Sequence, residues 1–181
     1  MPDNGDKSVS AEGLAAAASK ASKGGLPPVH LWNPPYCGEM DMQIRADGTW
    51  WHEGTPIGRP ALVRLFASIL KKEDDRFFLV TPVEKVGITV QDAPFIAVDA
   101  EIAPDRIEFT TNIGDSVVTD AENPIILRGT DHEPRPYVHV RRGLEALIDR
   151  KTFYRLAAAA QPGPDGRLGL HSGGAFFPLE T

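Results

Sequence analysis

Between residues 76 and 130, short apolar–polar alternations are separated by turn residues, and this pattern limits the fold more than any other feature. Ile96, Val98, Ala100 and Ile102 interleave with Ala97, Asp99 and Glu101, and Ile107 and Phe109 interleave with Glu108 and Thr110. A period of two sends successive side chains to opposite faces, so each run reads as a half-buried strand. Thr81-Pro82, Asp92-Ala93-Pro94 and Pro104-Asp105 punctuate the runs with residues that favour turns. Short strands at this spacing predict an antiparallel sheet or partial barrel.

Hairpin and helix signals flank this region. Met40, Met42 and Ile44 alternate with polar residues, Asp47-Gly48 is a hairpin turn, and Thr49–His52 returns as the second strand. Pro60 opens a helix, where its missing N–H costs nothing. The apolar face is Ala61, Leu62, Leu65, Phe66 and Ile69, and Lys71 and Lys72 fall near the helix end, where cations are favoured. A second hairpin follows at Tyr137–Arg141 and Leu144–Ile148. Asp149 can cap the next helix, whose apolar face holds Phe153, Leu156, Ala157 and Ala160. A last hairpin spans Leu168–His171 and Ala175–Leu179.

The two hairpin–helix stretches read as an internal repeat that matches Arg45 with Arg141 and Arg59 with Arg150, although two amphipathic units can resemble each other by chance. The expected fold is α+β, with two small β-rich units related by this repeat. Residues 1–25 are rich in Ala, Ser, Lys and Gly without an aromatic, and read as a flexible tail. An N-terminal hairpin–helix domain is expected over 26–80 and a C-terminal β-rich domain over 81–181.

Composition narrows the function classes. The chain has 181 residues, 41% hydrophobic and 24% charged, with a formal charge of −6, which speaks against a uniformly basic nucleic-acid binder. One cysteine, Cys37, allows no internal disulfide and no multi-thiolate zinc site. No run approaches the roughly 18 apolar residues of a membrane span. The expectation is a cytoplasmic protein with no membrane partner and no cofactor.

Three blocks of residues carry a family resemblance. The first holds Trp32-Asn33-Pro34, Cys37-Gly38, Asp47-Gly48-Thr49-Trp50 and Thr55-Pro56-Ile57. The second holds Phe78 through Lys85 and Asp92-Ala93-Pro94-Phe95. The third holds Pro136-Tyr137-Val138, Gly143 through Leu147 and Phe153-Tyr154. Over about residues 27–180 the chain resembles the uncharacterised bacterial family known as domain of unknown function 1285. The resemblance implies a domain duplication and a C-terminal half superficially like pleckstrin-homology folds. It also implies a ligand site between the domains for a nucleotide-like molecule, and a signalling role. It brings no catalytic residues.

The residues themselves offer an anion site. Residues 135–155 hold Arg135, Arg141, Arg142, Arg150, Lys151 and Arg155 against only Glu145 and Asp149. Arg141 shares a strand face with Tyr137 and His139. If the repeat copies face each other, Arg45, Arg59, Arg141 and Arg150 could hold a phosphate, and Trp50, Tyr137 or Tyr154 could stack on a base. Lys85, beside Val83-Glu84, could contact the anion. The competing reading is that these cations pair with acidic neighbours or lie in solvent. His30, His52, His132, His139 and His171 lack metal-binding spacing, and Asp131-His132-Glu133 reads as a loop.

The leading expectation is therefore a non-enzymatic sensor of a small anionic, nucleotide-like ligand, with a signalling protein as a further partner. The alternatives are a protein-interaction or dimerisation module and a hydrolase of a phosphorylated compound, for which His139 is the best-placed base. Oligomeric state stays open.

Overall fold

The computed structural model describes residues 9–181. The chain divides into two compact units: Met1–Arg45 with Thr49–Gln91, and Ala46–Gly48 with Asp92–Thr181. Each is α+β, rich in strands and poor in helices.

Unit 1 begins with α1 (Ala11–Ala21), followed by β1 (Tyr36–Ile44), β2 (Trp50–His52), β3 (Thr55–Pro56), α2 (Pro60–Ser68), β4 (Leu70–Glu73), β5 (Arg76–Val80) and β6 (Lys85–Val90). Its six strands lie in the order β3-β2-β1-β6-β5-β4. Every pairing is antiparallel except the central one, where β1 runs parallel to β6.

Unit 2 holds β7 (Phe95–Ala103), β8 (Arg106–Thr111), β9 (Ser116–Val118), β10 (Ile125–Gly129), β11 (Pro134–Arg141), β12 (Leu144–Ile148) and α3 (Arg150–Ala159). A small sheet follows, of β13 (Gln161–Pro162), β14 (Leu168–Ser172) and β15 (Ala175–Pro178). From one edge the large sheet reads β9-β8-β7-β12-β11-β10, again with one central parallel pair, β7 with β12.

The duplication is therefore present, but its unit is six strands. β1 through β6 correspond in chain order and sheet position to β7 through β12. The expected hairpin–helix repeat is not the structural one: β1–β2 corresponds to β7–β8, and β11–β12 to β5–β6. Arg45 is thus no counterpart of Arg141. Helix α2 lies in the crossover between β3 and β4, whereas α3 follows β12, so Arg59 is no counterpart of Arg150 either. The two sheets are mixed rather than antiparallel, because the crossover returns the second three-strand meander alongside the first strand.

Three further expectations change. Residues 11–21 are not a tail but a helix, capped by the Ser10 hydroxyl accepting from the Gly13 N–H. Leu14 and Ala18 are buried, and α1 packs on α2. Full burial of one leucine contributes about 1.5–3 kcal/mol, enough to hold an alanine-rich helix that already favours the helical state. Lys71 and Lys72 belong to β4, since α2 stops at Ser68 and the chain turns into the sheet. The boundary between units falls at residue 91 rather than 80, because β6 completes the sheet of unit 1.

The cores follow from the strand pattern. In unit 1, Met42, Ile44, Leu79 and Val86 are buried with Phe66 and Ile69. Trp50 is 2% exposed and stacks on Phe66, with ring centroids 6.3 Å apart. In unit 2, Phe95, Ile107, Phe109, Val138 and Ala146 are buried with Leu156 of α3. The buried Ser172 hydroxyl accepts from the Ile107 N–H at 2.9 Å and donates to the Thr119 carbonyl at 2.6 Å, tying β14 to the large sheet. Asp149 caps α3 as expected, accepting from the Thr152 N–H at 2.9 Å.

Candidate functional site

Unit 2 carries a groove of about 1230 Å³ beside α3. Its floor includes Ile96, Leu147 and Ile148 from the central parallel pair, and Phe153 and Ala157 form part of the helical wall. The loop at Asp131, His132 and Glu133 forms another wall and runs into Pro134, Arg135 and Pro136 of β11. Clefts between a helix and a sheet are common ligand positions.

Arg150 and Tyr154 lie four positions apart on α3, so both side chains fall on one helical face, and both line the groove. Tyr154 is 62% exposed. Among the described residues the Arg150 guanidinium has no hydrogen bond or ion pair. An open aromatic ring and an uncommitted planar cation on one face suit a flat ring bearing a single anionic group.

The groove's other charges are acidic or already committed. Arg135 donates to Asp92 at 2.8 Å and to the Tyr137 hydroxyl at 3.3 Å. The Asp131 carboxylate accepts from the N–H and hydroxyl of Thr181, and those bonds hold its pKa below the usual carboxylate value. Asp149 caps α3, and Asp47 and Glu133 also line the cavity. Two arginines against four carboxylates do not favour a polyanion.

Of the eight residues singled out from the sequence, Arg45, Trp50, Arg59 and Lys85 belong to unit 1, and Tyr137, His139, Arg141 and Arg150 to unit 2. Arg150 alone lines the groove. Trp50 is closed to any ligand by its burial, while its neighbour Trp51 is half-buried with Arg45 stacked over its ring at 3.5 Å. Arg59 is exposed and precedes α2. Lys85 donates to Glu73 at 2.9 Å and sits over the Phe78 ring. The hydrogen bond from Lys85 is the largest influence lowering the Glu73 pKa, with Lys71 adding to it against the opposing effect of burial.

In unit 2, Tyr137 is 4% exposed, so it offers no stacking platform. Its hydroxyl donates to Asp92 at 2.7 Å, and Arg128 lies over its ring. Burial foremost, with the Asp92 hydrogen bond, raises its pKa above that of an ordinary tyrosine. Arg141 donates to Asp115 at 2.6 Å and lies over the Phe95 ring. His139 accepts the Gly143 N–H on Nε2 at 2.9 Å, and its Nδ1 lies 3.1 Å from the Glu122 carbonyl. Both ring nitrogens are thus engaged, and the imidazole closes the β11–β12 turn. Among the described residues no three His, Cys, Asp or Glu side chains form a metal-binding group, and no helix is long and apolar enough to cross a membrane.

Comparison with known proteins gives the family. Residues 27–93 match the domain of unknown function (DUF1285), N-terminal domain, and residues 94–179 match the C-terminal domain of the same family. The chain belongs to the DUF1285 family. It is similar to a DUF1285 family protein from Silicibacter pomeroyi DSS-3, with 58% identity over 93% of this chain and 95% of that one and a TM-score of 0.85. A DUF1285 family protein from Shewanella baltica OS155 shares 34% identity over 63% of this chain and 87% of that one, with a TM-score of 0.52. No curated protein matches the chain. The DUF1285 match ends its N-terminal part within two residues of the last strand-bearing segment of unit 1, so the family division follows the sheets.

Proposed function

We propose that this DUF1285 protein is a non-enzymatic binding module for a small nucleotide-like ligand with a single phosphate group, seated in the groove beside α3. The observation that carries this reading is the uncommitted Arg150 guanidinium on the same helical face as the exposed Tyr154 ring. Arg150 holds the phosphate and Tyr154 stacks on the base, while Asp47 and Glu133 are acceptors for ribose hydroxyls or base amino groups. The excess of carboxylates favours a nucleoside monophosphate over a triphosphate. A signalling role, and the pleckstrin-like character of unit 2, extend this reading and rest on the family resemblance.

Isothermal titration against nucleoside monophosphates tests it. A ligand at 100 times its dissociation constant stabilises the folded state by about 2.7 kcal/mol, and for a chain this size that raises the midpoint by roughly 2–4 °C per kcal/mol. Arg150→Ala and Tyr154→Ala should each weaken binding at least tenfold. Binding that survives both substitutions overturns the site.

A second reading, a protein-interaction module, has its own support in unit 1. Leu31 is 71% exposed and Val83 69%, and Tyr36 is exposed beside Lys85 in the β1–β6 register. Large apolar side chains left open to solvent suit a protein partner. The hydrolase reading has less support, because its base, His139, is occupied by the turn it closes.

A further inference from the structure

Unit 1 contains a second cavity, an open groove of about 440 Å³ between α1 and α2. Its apolar lining comes from Ile57, Leu62, Leu65 and Phe66, with Ala15 and Ala16 of α1 opposite. The small side chains on α1 create the space. Only Ala11, Leu14 and Ala18 of that helix are buried, so the two helices touch along one line and leave the rest unfilled. A groove of this size lined by branched and aromatic side chains leaves apolar surface facing water and falls within the range of small-molecule pockets, about 300–1,000 Å³.

The polar groups at its edge are few. Arg59 lines the cavity, and among the described residues its guanidinium has no hydrogen bond or ion pair. Glu12, His52 and Ser19 also line it. Glu12 sits in the first turn of α1, where a carboxylate is favoured by the helix dipole, and His52 lies 3.9 Å from Glu53. One uncommitted cation above an apolar chamber is the arrangement that receives an apolar body with one anionic head.

We propose that the α1–α2 cavity binds a monoanionic amphiphile, a medium-chain carboxylate or a compound of similar shape, with Arg59 holding the carboxylate and α1 closing over the chain. The occupant fills the gap that the alanines leave, so it clamps α1 onto α2. The site is independent of the α3 groove and of any nucleotide bound there.

The probe is sodium decanoate, with 1-decanol as its uncharged analogue. Titration calorimetry should give one decanoate per chain, and hydrogen exchange at the α1 amides should slow at least tenfold when decanoate is present. Arg59→Gln, an exposed change that leaves the fold intact, should weaken decanoate at least tenfold. Ala15→Phe, which fills the chamber from α1, should abolish binding. Decanol should bind at least tenfold more weakly than decanoate. No binding heat with no change in α1 exchange overturns the proposal. So does an affinity indifferent to Arg59→Gln, or decanol binding as tightly as decanoate. Arg150→Ala should leave decanoate binding unchanged, which separates failure here from failure of the nucleotide reading.

Discussion

The two six-stranded sheets share strand order, pairing sense and chain direction, yet their helices occupy different places. Unit 1 has its helix inside the crossover from β3 to β4, and the corresponding connection in unit 2, residues 119–124, has none. Unit 2 has its helix after β12, where β6 runs on with none. Both candidate cavities lie against these unmatched helices, α2 with α1 in one unit and α3 in the other. The duplicated strands thus supply two similar frames, and the chemistry is attached where the copies differ. A duplicated frame is free to diverge in this way because a sheet needs only one face covered, and any helix of suitable length can cover it.

That comparison can be broken at several points. Phe66→Ala and Leu156→Ala remove the largest buried side chain of α2 and a fully buried one of α3. Chemical denaturation should show losses of about 3–5 and 2–5 kcal/mol respectively. A loss under 1 kcal/mol at either position would mean that its helix is an ornament on a self-sufficient sheet. Gly48→Ala comes next. Gly48 has φ near +86°, and an added Cβ would lie 2.6 Å from Ile96 and 2.9 Å from the Asn112 amide. A cost of about 1–3 kcal/mol is expected from the strained backbone, before any clash.

Asp149→Ala sharpens the contrast between the helices, because α3 has a side-chain cap and α2 has none. It should cost about 1 kcal/mol by thermal unfolding, whereas Arg59→Ala at the matching position of α2 should cost little. The smallest effects are in pH. Tyr137 holds its proton more tightly folded than unfolded, so its contribution is complete below about pH 10 and is lost as pH rises beyond it. Glu73 is the reverse: its folded pKa is lowered, so its contribution is present above the usual carboxylate value of 4.5 and is lost as pH falls through that region. Stability curves of Tyr137→Phe at high pH and Glu73→Gln at low pH should be flatter than those of the parent.

Much of this frame is legible in the sequence wherever the cause is local. The Asp47-Gly48 turn, Pro60 at the start of α2 and Asp149 as a cap all depend on neighbouring residues, and the structure agrees with each. The alternation at Ile96–Ile102 marks β7 as a strand, but a register shift between Ala97 and Asp99 interrupts it and buries Ala97 beside Ile96. Sheet order does not. Parallel pairing of β1 with β6 leaves no local mark, so the likeness of the two hairpin–helix stretches pairs segments that hold different places in their sheets. Strand geometry sends Trp50 and Trp51 to opposite faces, but which one enters the core depends on Phe66, sixteen positions on. Helix α1 was hidden because its packing rests on one leucine among alanines. At the site, Arg150 and Tyr154 carry helical spacing, yet whether Arg141 or Lys85 is committed depends on Asp115 and Glu73, which no motif connects to them.

The Gly48 turn sets a condition on how the second sheet comes together. Ala46–Gly48 belong to unit 2 although the chain on either side belongs to unit 1. The Asn112 amide donates to the Gly48 carbonyl across 64 positions of sequence and accepts the Ile96 N–H. A contact that distant closes a long loop, so forming it carries a large entropic cost. A gene fragment beginning at residue 94, where the family boundary invites a cut, would encode all of β7 through β12 and still lack five residues of its own domain, Ala46–Gly48 with Asp92 and Ala93. Ile96 and Asn112 would then face water, and the fragment should aggregate unless a peptide carrying Asp47-Gly48 is supplied in trans.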